Sequence, residues 1–172
     1  MVNSKQVVAA VSAVSLVVIL VYPALSTGTV SIILGSTSIT NADHVYVLVG
    51  DVWVHRVGQS SSDGWRLVSN QSQTVDLVSL KDSTLAFAKG QVPVGRYDEI
   101  RMAISNVTWV LDQTTTRLSV QIPQLQANLE FKAQAGRGST ISVVLTGQSE
   151  TMSDTRFFVP NMTATLSSAS NP

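Results

Sequence analysis

Residues 45–57 read VYVLVGDVWVHRV, and this stretch decides the fold class. Valine occupies alternate positions in its first half, as one buried face of a β-strand requires, and the alternation resumes in its second half on the opposite parity. These valines are Val45, Val47, Val49, Val52 and Val54. A β-bulge at Gly50 and Asp51 would restore one apolar face, because one extra residue flips the register. The alternative is an unbulged strand whose inward residues are Tyr46, Leu48, Val52 and Val54.

Nine more segments have the length and β-branched composition of strands, and clusters of Gly, Pro, Asn, Asp and Ser separate them. They are residues 29–34, 65–68, 74–78, 99–110, 117–122, 128–133, 140–146, 156–159 and 162–166. Spacing of this kind is typical of a sandwich or barrel, and we predict an all-β fold organised as a β-sandwich. Residues 80–89, LKDSTLAFAK, are the only segment after residue 27 that could form a helical turn.

The N-terminus has the order of an export signal. Lys5 is the only charge before Asp43, residues 7–25 are largely apolar, and small residues follow. We predict a signal peptide at residues 1–26, which leaves residues 27–172 as one β-sandwich domain with an N-terminal strand at 27–35. An uncleaved anchor is the alternative, because residues 7–25 at about 1.5 Å each nearly cross a hydrocarbon core of about 30 Å. A buried helix of a soluble protein is the remaining interpretation.

Composition excludes several classes of function. The chain has 11 Lys and Arg against 11 Asp and Glu, so it lacks the basic surface that nucleic-acid binding needs, and we predict no nucleic-acid partner. It has no cysteine, which excludes thiol nucleophiles, cysteine-ligated zinc and iron–sulfur clusters.

The sequence does not indicate an enzyme. It contains no G-x-S-x-G, H-E-x-x-H or P-loop pattern. Asp51 and His55 would lie about 13 Å apart on a strand, too far for one metal to join. Asp98 and Glu99 are adjacent, so on a regular strand they face opposite ways and make a poor pair for glycoside cleavage. We predict no catalytic residue, no metal and no cofactor.

Three sequons match the acceptor for N-glycosylation, which requires an exported chain. They begin at Asn70, Asn106 and Asn161. We therefore predict covalent N-glycans and an extracellular or cell-surface location, with membrane contact only during export or through an uncleaved anchor.

Aromatic side chains suggest a second type of surface. Trp53 and Trp65 could stack on sugar rings, because amphipathic rings favour such contacts, and they could equally belong to the core. The bulged register places Trp53 opposite the valine face, so it is the better candidate for an exposed ring.

Four ordered landmarks resemble an uncharacterised extracellular domain family of archaea and bacteria. They are VYVLVGDVWVH, the Gly64–Trp65 pair, TVDLVSL at 74–80 and VPVGRYDEIRMAI at 92–104. That family is typified by a V-x-V-H strand, a V-D-L-L-x-L segment and an L-P-A-G-x-Y-x-x-I-R-L turn and strand. It usually opens with G-x-V-x-V-x-L-T-D-A-P, and here GSTSITNAD replaces the T-D-A-P loop. The resemblance covers about residues 29–105 and implies a secreted immunoglobulin-like or prealbumin-like β-fold, with no established activity.

In size and style the chain is also similar to subunits of TasA-like, bundling-pilus or thread filaments, which are joined by donor strands. Residues 27–34 suit this role, because Val30, Ile32 and Leu34 form alternating apolar anchors. We expect a structural subunit of a cell-surface filament, a homopolymer held together when this strand enters a neighbour's sheet. The strand could instead pair within its own domain. Other hypotheses are a secreted carbohydrate-binding or adhesive module and a membrane-anchored envelope protein.

Overall fold

The protein's computed structural model describes residues 26–169. Ten strands follow one another along the chain: β1 (Thr27–Ser36), β2 (His44–Arg56), β3 (Trp65–Ser69), β4 (Gln73–Asp76), β5 (Leu85–Pro93), β6 (Gly95–Leu111), β7 (Thr114–Val120), β8 (Gln124–Ala133), β9 (Gly138–Met152) and β10 (Thr155–Ala169). The all-β prediction is confirmed. Within the described part, no helix is long and apolar enough to cross a membrane. The predicted signal or anchor, residues 1–26, lies outside that part apart from Ser26.

The bulge predicted in β2 is confirmed. The register of β2 against β6 shifts between Val49 and Val52, so Gly50 and Asp51 together lie opposite one residue, Ala103. All five alternating valines of this strand are fully buried, whereas Tyr46 is exposed. The unbulged alternative is therefore wrong, because one buried face can be kept across a change of parity only if the register shifts.

The strands form one ten-stranded sheet in the order β3-β2-β6-β7-β10-β9-β1-β5, with β4 also paired to β2 and β8 also paired to β6. The central strands β2 and β6 each change partner along their length. β4 pairs with β2 before its bulge and β3 pairs after it. β8 pairs with the first half of β6 and β7 with the second. Only Phe157 and Phe158 of β10 pair with β7 in parallel, so this join is short.

The sheet curls until its two end strands meet. At Gly90 of β5, a Cβ would overlap the carbonyl oxygen of Val68 in β3. Only glycine allows the two backbones to approach so closely. The sheet is thus nearly closed around a core that draws on both of its halves.

β1 is an interior strand of this sheet, next to the end strand β5. It pairs antiparallel with β5 on one side and parallel with β9 on the other, so both of its edges are occupied within the chain. Its apolar anchors Val30, Ile32 and Leu34 are at most 1% exposed. β1 therefore pairs within its own domain, which is the alternative considered above for the N-terminal strand.

Two local expectations need correction. Residues 80–89 do not form only a helical turn, because β5 begins at Leu85 and its residues Phe87, Ala88 and Val92 are buried against β1. Pairing with β1 outweighs the weak local preference of this segment for a helical turn. The two short strands predicted at 156–159 and 162–166 are one strand, β10, which pairs along β9.

Candidate functional site

The outer face of strands β3, β2, β6 and β8 gathers several of the polar and aromatic side chains singled out in the sequence. Residues paired across antiparallel strands point to the same side of the sheet. One row across the four strands consists of Leu67, Trp53, Arg101 and Gln126. The next row consists of Trp65, His55, Glu99 and Asn128. We call these eight residues the outer-face site.

His55 holds the centre of this site. Its side chain is 8% exposed, with Nδ1 2.8 Å from Oδ1 of Asp98 and Nε2 3.1 Å from the carbonyl oxygen of Ser60. Both partners are acceptors, so only the imidazolium, with a proton on each nitrogen, can satisfy both. The hydrogen bond to Asp98 and then that to Ser60 raise the pKa of His55 above its ordinary value, and burial opposes them. With both nitrogens engaged, His55 fixes structure and has no free nitrogen for proton transfer.

The position of Asp98 corrects a prediction. Asp98 and Glu99 do not face opposite ways, because the register of β6 against β8 shifts between Tyr97 and Glu99. Tyr97 and Ile100 both point inward, and the two carboxylates between them both reach the outer side. They hydrogen-bond to different partners, Asp98 to His55 and Glu99 to Gln126.

Trp65 is enclosed by charged and aromatic neighbours. The guanidinium carbon of Arg101 lies 3.8 Å from the centre of its ring, a cation–π contact that covers one ring face. The His55 ring packs against it at 5.1 Å with a tilt of 57°. Its Nε1 donates to the carbonyl of Ser61 at 2.8 Å. Trp65 is therefore half-buried with one face already occupied, whereas no ring stacks on the half-buried Trp53 among the described residues.

Two side chains of the outer-face site, together with Arg66, hold the β2–β3 loop. His55, Trp65 and Arg66 donate to the carbonyls of Ser60, Ser61 and Asp63 respectively. Gly64 lies directly against His55, where a Cβ would overlap Nε2 of the imidazole. These bonds add to the backbone hydrogen bonds that Asp63 and Gly64 donate to the Ser60 carbonyl, so side chains and backbone together hold the loop although its tip is exposed.

A polar chain continues along the site from β6 to β8. Arg101 donates to Oε1 of Gln126 at 3.2 Å, and Gln126 donates through Nε2 to Glu99. Beside this chain an open cleft of about 630 Å³ is lined by Asp51, Ala103, Gln124 and their neighbours. The surface offers amides, hydroxyls, one guanidinium and carboxylates with apolar side chains between them. Such a mixture can hydrogen-bond a neutral polar ligand.

The second histidine belongs to a separate cluster around Asp76. His44 Nδ1 lies 2.7 Å from Oδ2 of Asp76, and Ser79 donates to the same oxygen at 2.6 Å. The amides of Val45 and Val78 donate to Oδ1 at 3.1 Å each. Burial raises the pKa of Asp76, but these hydrogen bonds outweigh it and the net effect lowers the pKa. Asp76 thus ties the start of β2 to the turn after β4.

All three sequon asparagines are exposed. Asn70 lies in the β3–β4 connection, Asn106 lies in β6 and Asn161 lies in β10. The predicted strand anchors lie in the core, away from the outer-face site. No group of three or more potential metal-ligating side chains occurs among residues 26–169.

The sequence could predict which residue types matter here and could not predict their contacts. The His55–Asp98 bond depends on the irregularity in β6, for which the sequence carries no clear pattern. The landmark residues gave the useful signal, because His55, Gly64, Trp65 and Arg101 come from three separate landmarks and meet in one cluster.

The fold and the site define an all-β domain with a nearly closed sheet and a polar–aromatic outer face. The family described as a domain of unknown function, DUF4382, matches residues 27–154, and the chain belongs to that family. No curated protein and no solved structure matches the chain.

Proposed function

We propose that the chain is a structural subunit of an extracellular filament at the cell surface, in which β1 of one subunit replaces β1 in the sheet of the next. The observation that supports this is the place of β1. It is the first strand of the domain, yet it fills an interior position between β5 and β9, with buried anchors. The slot must be filled for the sheet to be complete, and a neighbour's β1 would make the same hydrogen bonds and packing.

The connection to β2 permits such an exchange. Residues 37–43 have no strand structure, and seven residues can extend over roughly 23–25 Å. Exchange therefore preserves the contacts of β1 while linking subunits head to tail. This proposal includes export of the chain and removal of residues 1–26. It also includes an immunoglobulin-like or prealbumin-like sandwich architecture. If residues 7–25 remain uncleaved, the same domain is a membrane-anchored envelope protein, and the intact mass of native material separates the two.

An engineered disulfide tests the exchange, since the chain has no cysteine of its own. Ser31 pairs with Lys89 across β1 and β5, so Ser31→Cys with Lys89→Cys would lock β1 into its own sheet. We expect a double variant that is oxidised as a monomer, before assembly, to form no filaments and to regain them after reduction. The matched control pairs Thr151→Cys with Arg156→Cys across β9 and β10, which do not exchange.

Mixing the single variants gives the direct readout. A Ser31→Cys chain and a Lys89→Cys chain, coexpressed, should form a disulfide between two subunits. Filaments that persist in the oxidised double variant, together with no cross-link between the single variants, would exclude assembly through β1.

Carbohydrate binding is a second candidate, favoured by the position of Trp53 and Trp65 in adjacent rows of one face beside Gln126 and Asn128. Tryptophan rings and planar amides are suited to the apolar faces and hydroxyls of sugars. Trp53→Ala should remove binding to a glycan array, whereas Tyr46→Ala, an exposed aromatic outside the site, should not. Equal binding by both variants would exclude the outer-face site.

A further inference from the structure

The three sequons differ in how much of each tripeptide a modifying enzyme could reach. In Asn106-Val107-Thr108 the middle residue is fully buried, and in Asn161-Met162-Thr163 the middle residue is 5% exposed. In Asn70-Gln71-Ser72 all three residues are exposed. All three sequons therefore have an exposed asparagine, but only the Asn70 sequon is exposed along its whole length.

Backbone pairing separates the sequons in the same way. Asn106 itself lies at a bulge of β6, with a φ of 49°, but Val107 pairs with Leu118, and Thr108 pairs with Tyr46 on one side and Arg117 on the other. In β10, all three residues of the Asn161 sequon pair with β9. Residues 70–72 belong to no strand and connect the end of β3 to the start of β4. A residue that is hydrogen-bonded in a sheet can enter a modifying enzyme only after its strand opens locally. A residue in a connection between strands requires no such opening.

The side chains follow this division. Oδ1 of Asn106 accepts a hydrogen bond from Arg117 at 2.6 Å, and Oδ1 of Asn161 accepts one from the amide of Met162 at 2.7 Å. The Asn70 side chain has no hydrogen-bond partner among the described residues. Ser72, the hydroxyl residue of that sequon, lines the open cleft of about 630 Å³.

From these differences we propose that Asn70 is the N-glycosylation site of the folded domain, and that Asn106 and Asn161 are modified efficiently only before β6 and β10 form. The transfer joins C1 of the sugar to Nδ2 of Asn70 and breaks the C1–O bond to a lipid-linked phosphate donor. The phosphate leaves with the electron pair, and the amide loses one proton. A bulky, soluble sugar in a loop also suits a surface with so few charges.

The test compares the folded full chain, kept in mild detergent, with three synthetic peptides that each carry one sequon. Both are incubated with a purified oligosaccharyltransferase and its lipid-linked oligosaccharide, and the sites are mapped by mass spectrometry of glycopeptides. We expect all three peptides to be modified. In the folded chain we expect Asn70 to react within about tenfold of its peptide and the other two to react at least about 100-fold more slowly than theirs, because they require local opening.

Matched variants locate the sugar. Asn70→Gln and Ser72→Ala should each abolish modification of the folded chain, whereas Asn106→Gln should leave it unchanged. Comparable modification of Asn106 or Asn161 in the folded chain would overturn the proposal. It would equally be overturned if the Asn70 peptide reacted while Asn70 in the folded chain did not, or if that peptide alone failed to react.

Discussion

Nδ1 of His55 lies 2.8 Å from Oδ1 of Asp98, although 43 positions separate the two residues in the chain. The carbonyl of Ser60 faces the other ring nitrogen at 3.1 Å. One imidazolium therefore joins β2, β6 and the β2–β3 loop. When protonated, the ring is a buried cation placed between a carboxylate and a carbonyl.

Stability should depend on pH through this cation. The pKa of His55 is raised in the folded chain, so its contribution is fully present below the unfolded pKa near 6.5 and is lost as pH rises through the folded pKa. We expect the free energy of unfolding to fall by about 1 kcal/mol over that window. The value is modest because Asp98, the charged partner of His55, is partly exposed to solvent. Urea unfolding from about pH 5 to about pH 9 measures it. His55→Gln should flatten this part of the profile, whereas His44→Gln should retain it; an unchanged profile in His55→Gln would contradict the assignment.

Gly64→Ala should disrupt the same cluster by steric overlap. The added Cβ would occupy the position of the His55 imidazole edge, so the ring or the loop must move. Overpacking of this kind typically costs about 1–3 kcal/mol. Gly35→Ala is the matched control, because its Cβ would meet only ordinary van der Waals contacts. Thermal unfolding of both variants, with the NMR shifts of the His55 ring, would show whether the loss follows the displaced imidazole; equal Tm values would count against it.

Asp76 should dominate the acid side of the stability profile. Hydrogen bonds from Ser79, His44 and two amides lower its pKa despite its burial. Its contribution is therefore present above the unfolded pKa near 3.8 and is lost as pH falls through the folded pKa. Asp76→Asn keeps the shape and removes the charge, and should cost about 1–3 kcal/mol at neutral pH. Asp82→Asn, an exposed carboxylate nearby in sequence, should cost much less; similar losses in urea unfolding would contradict the role of Asp76.

Local patterns in the sequence predicted much of the fold. The valines of β2 change from odd to even positions, and this change is sufficient to predict the bulge. All five valines are buried on one inner face, which is possible only if the register shifts between Val49 and Val52. The strand character of β5 was missed, since Leu85 to Lys89 has helix-forming alanines and becomes a strand only through pairing with β1. The His55–Asp98 contact was missed for a related reason. It depends on a register shift near Asp98 that only the packing of β6 between β2 and β8 determines.

Gly90→Ala should open the sheet where its end strands meet. The new Cβ would overlap the backbone carbonyl of Val68, and a carbonyl in a strand cannot move aside as a flexible side chain can. We expect a loss of about 1–3 kcal/mol or more, with faster hydrogen exchange along β3 and β5. Gly35→Ala again serves as the control. Unchanged exchange in β3 would show that the two end strands do not depend on this contact.

The anchors of β1 should show the steepest contrast between neighbouring positions. Ile32 is 1% exposed and lies in the core, whereas the next residue, Ile33, is only half-buried. Ile32→Ala should therefore cost about 2–5 kcal/mol, because it removes buried methyl groups and leaves a cavity. Ile33→Ala should cost roughly 1 kcal/mol or less, since water already reaches part of that side chain. Both variants keep the same backbone pairing with β9, so a difference in urea unfolding reports the packing of β1 alone. Equal losses in the two variants would mean that β1 does not sit in the core as described, in its own chain or in a neighbour's.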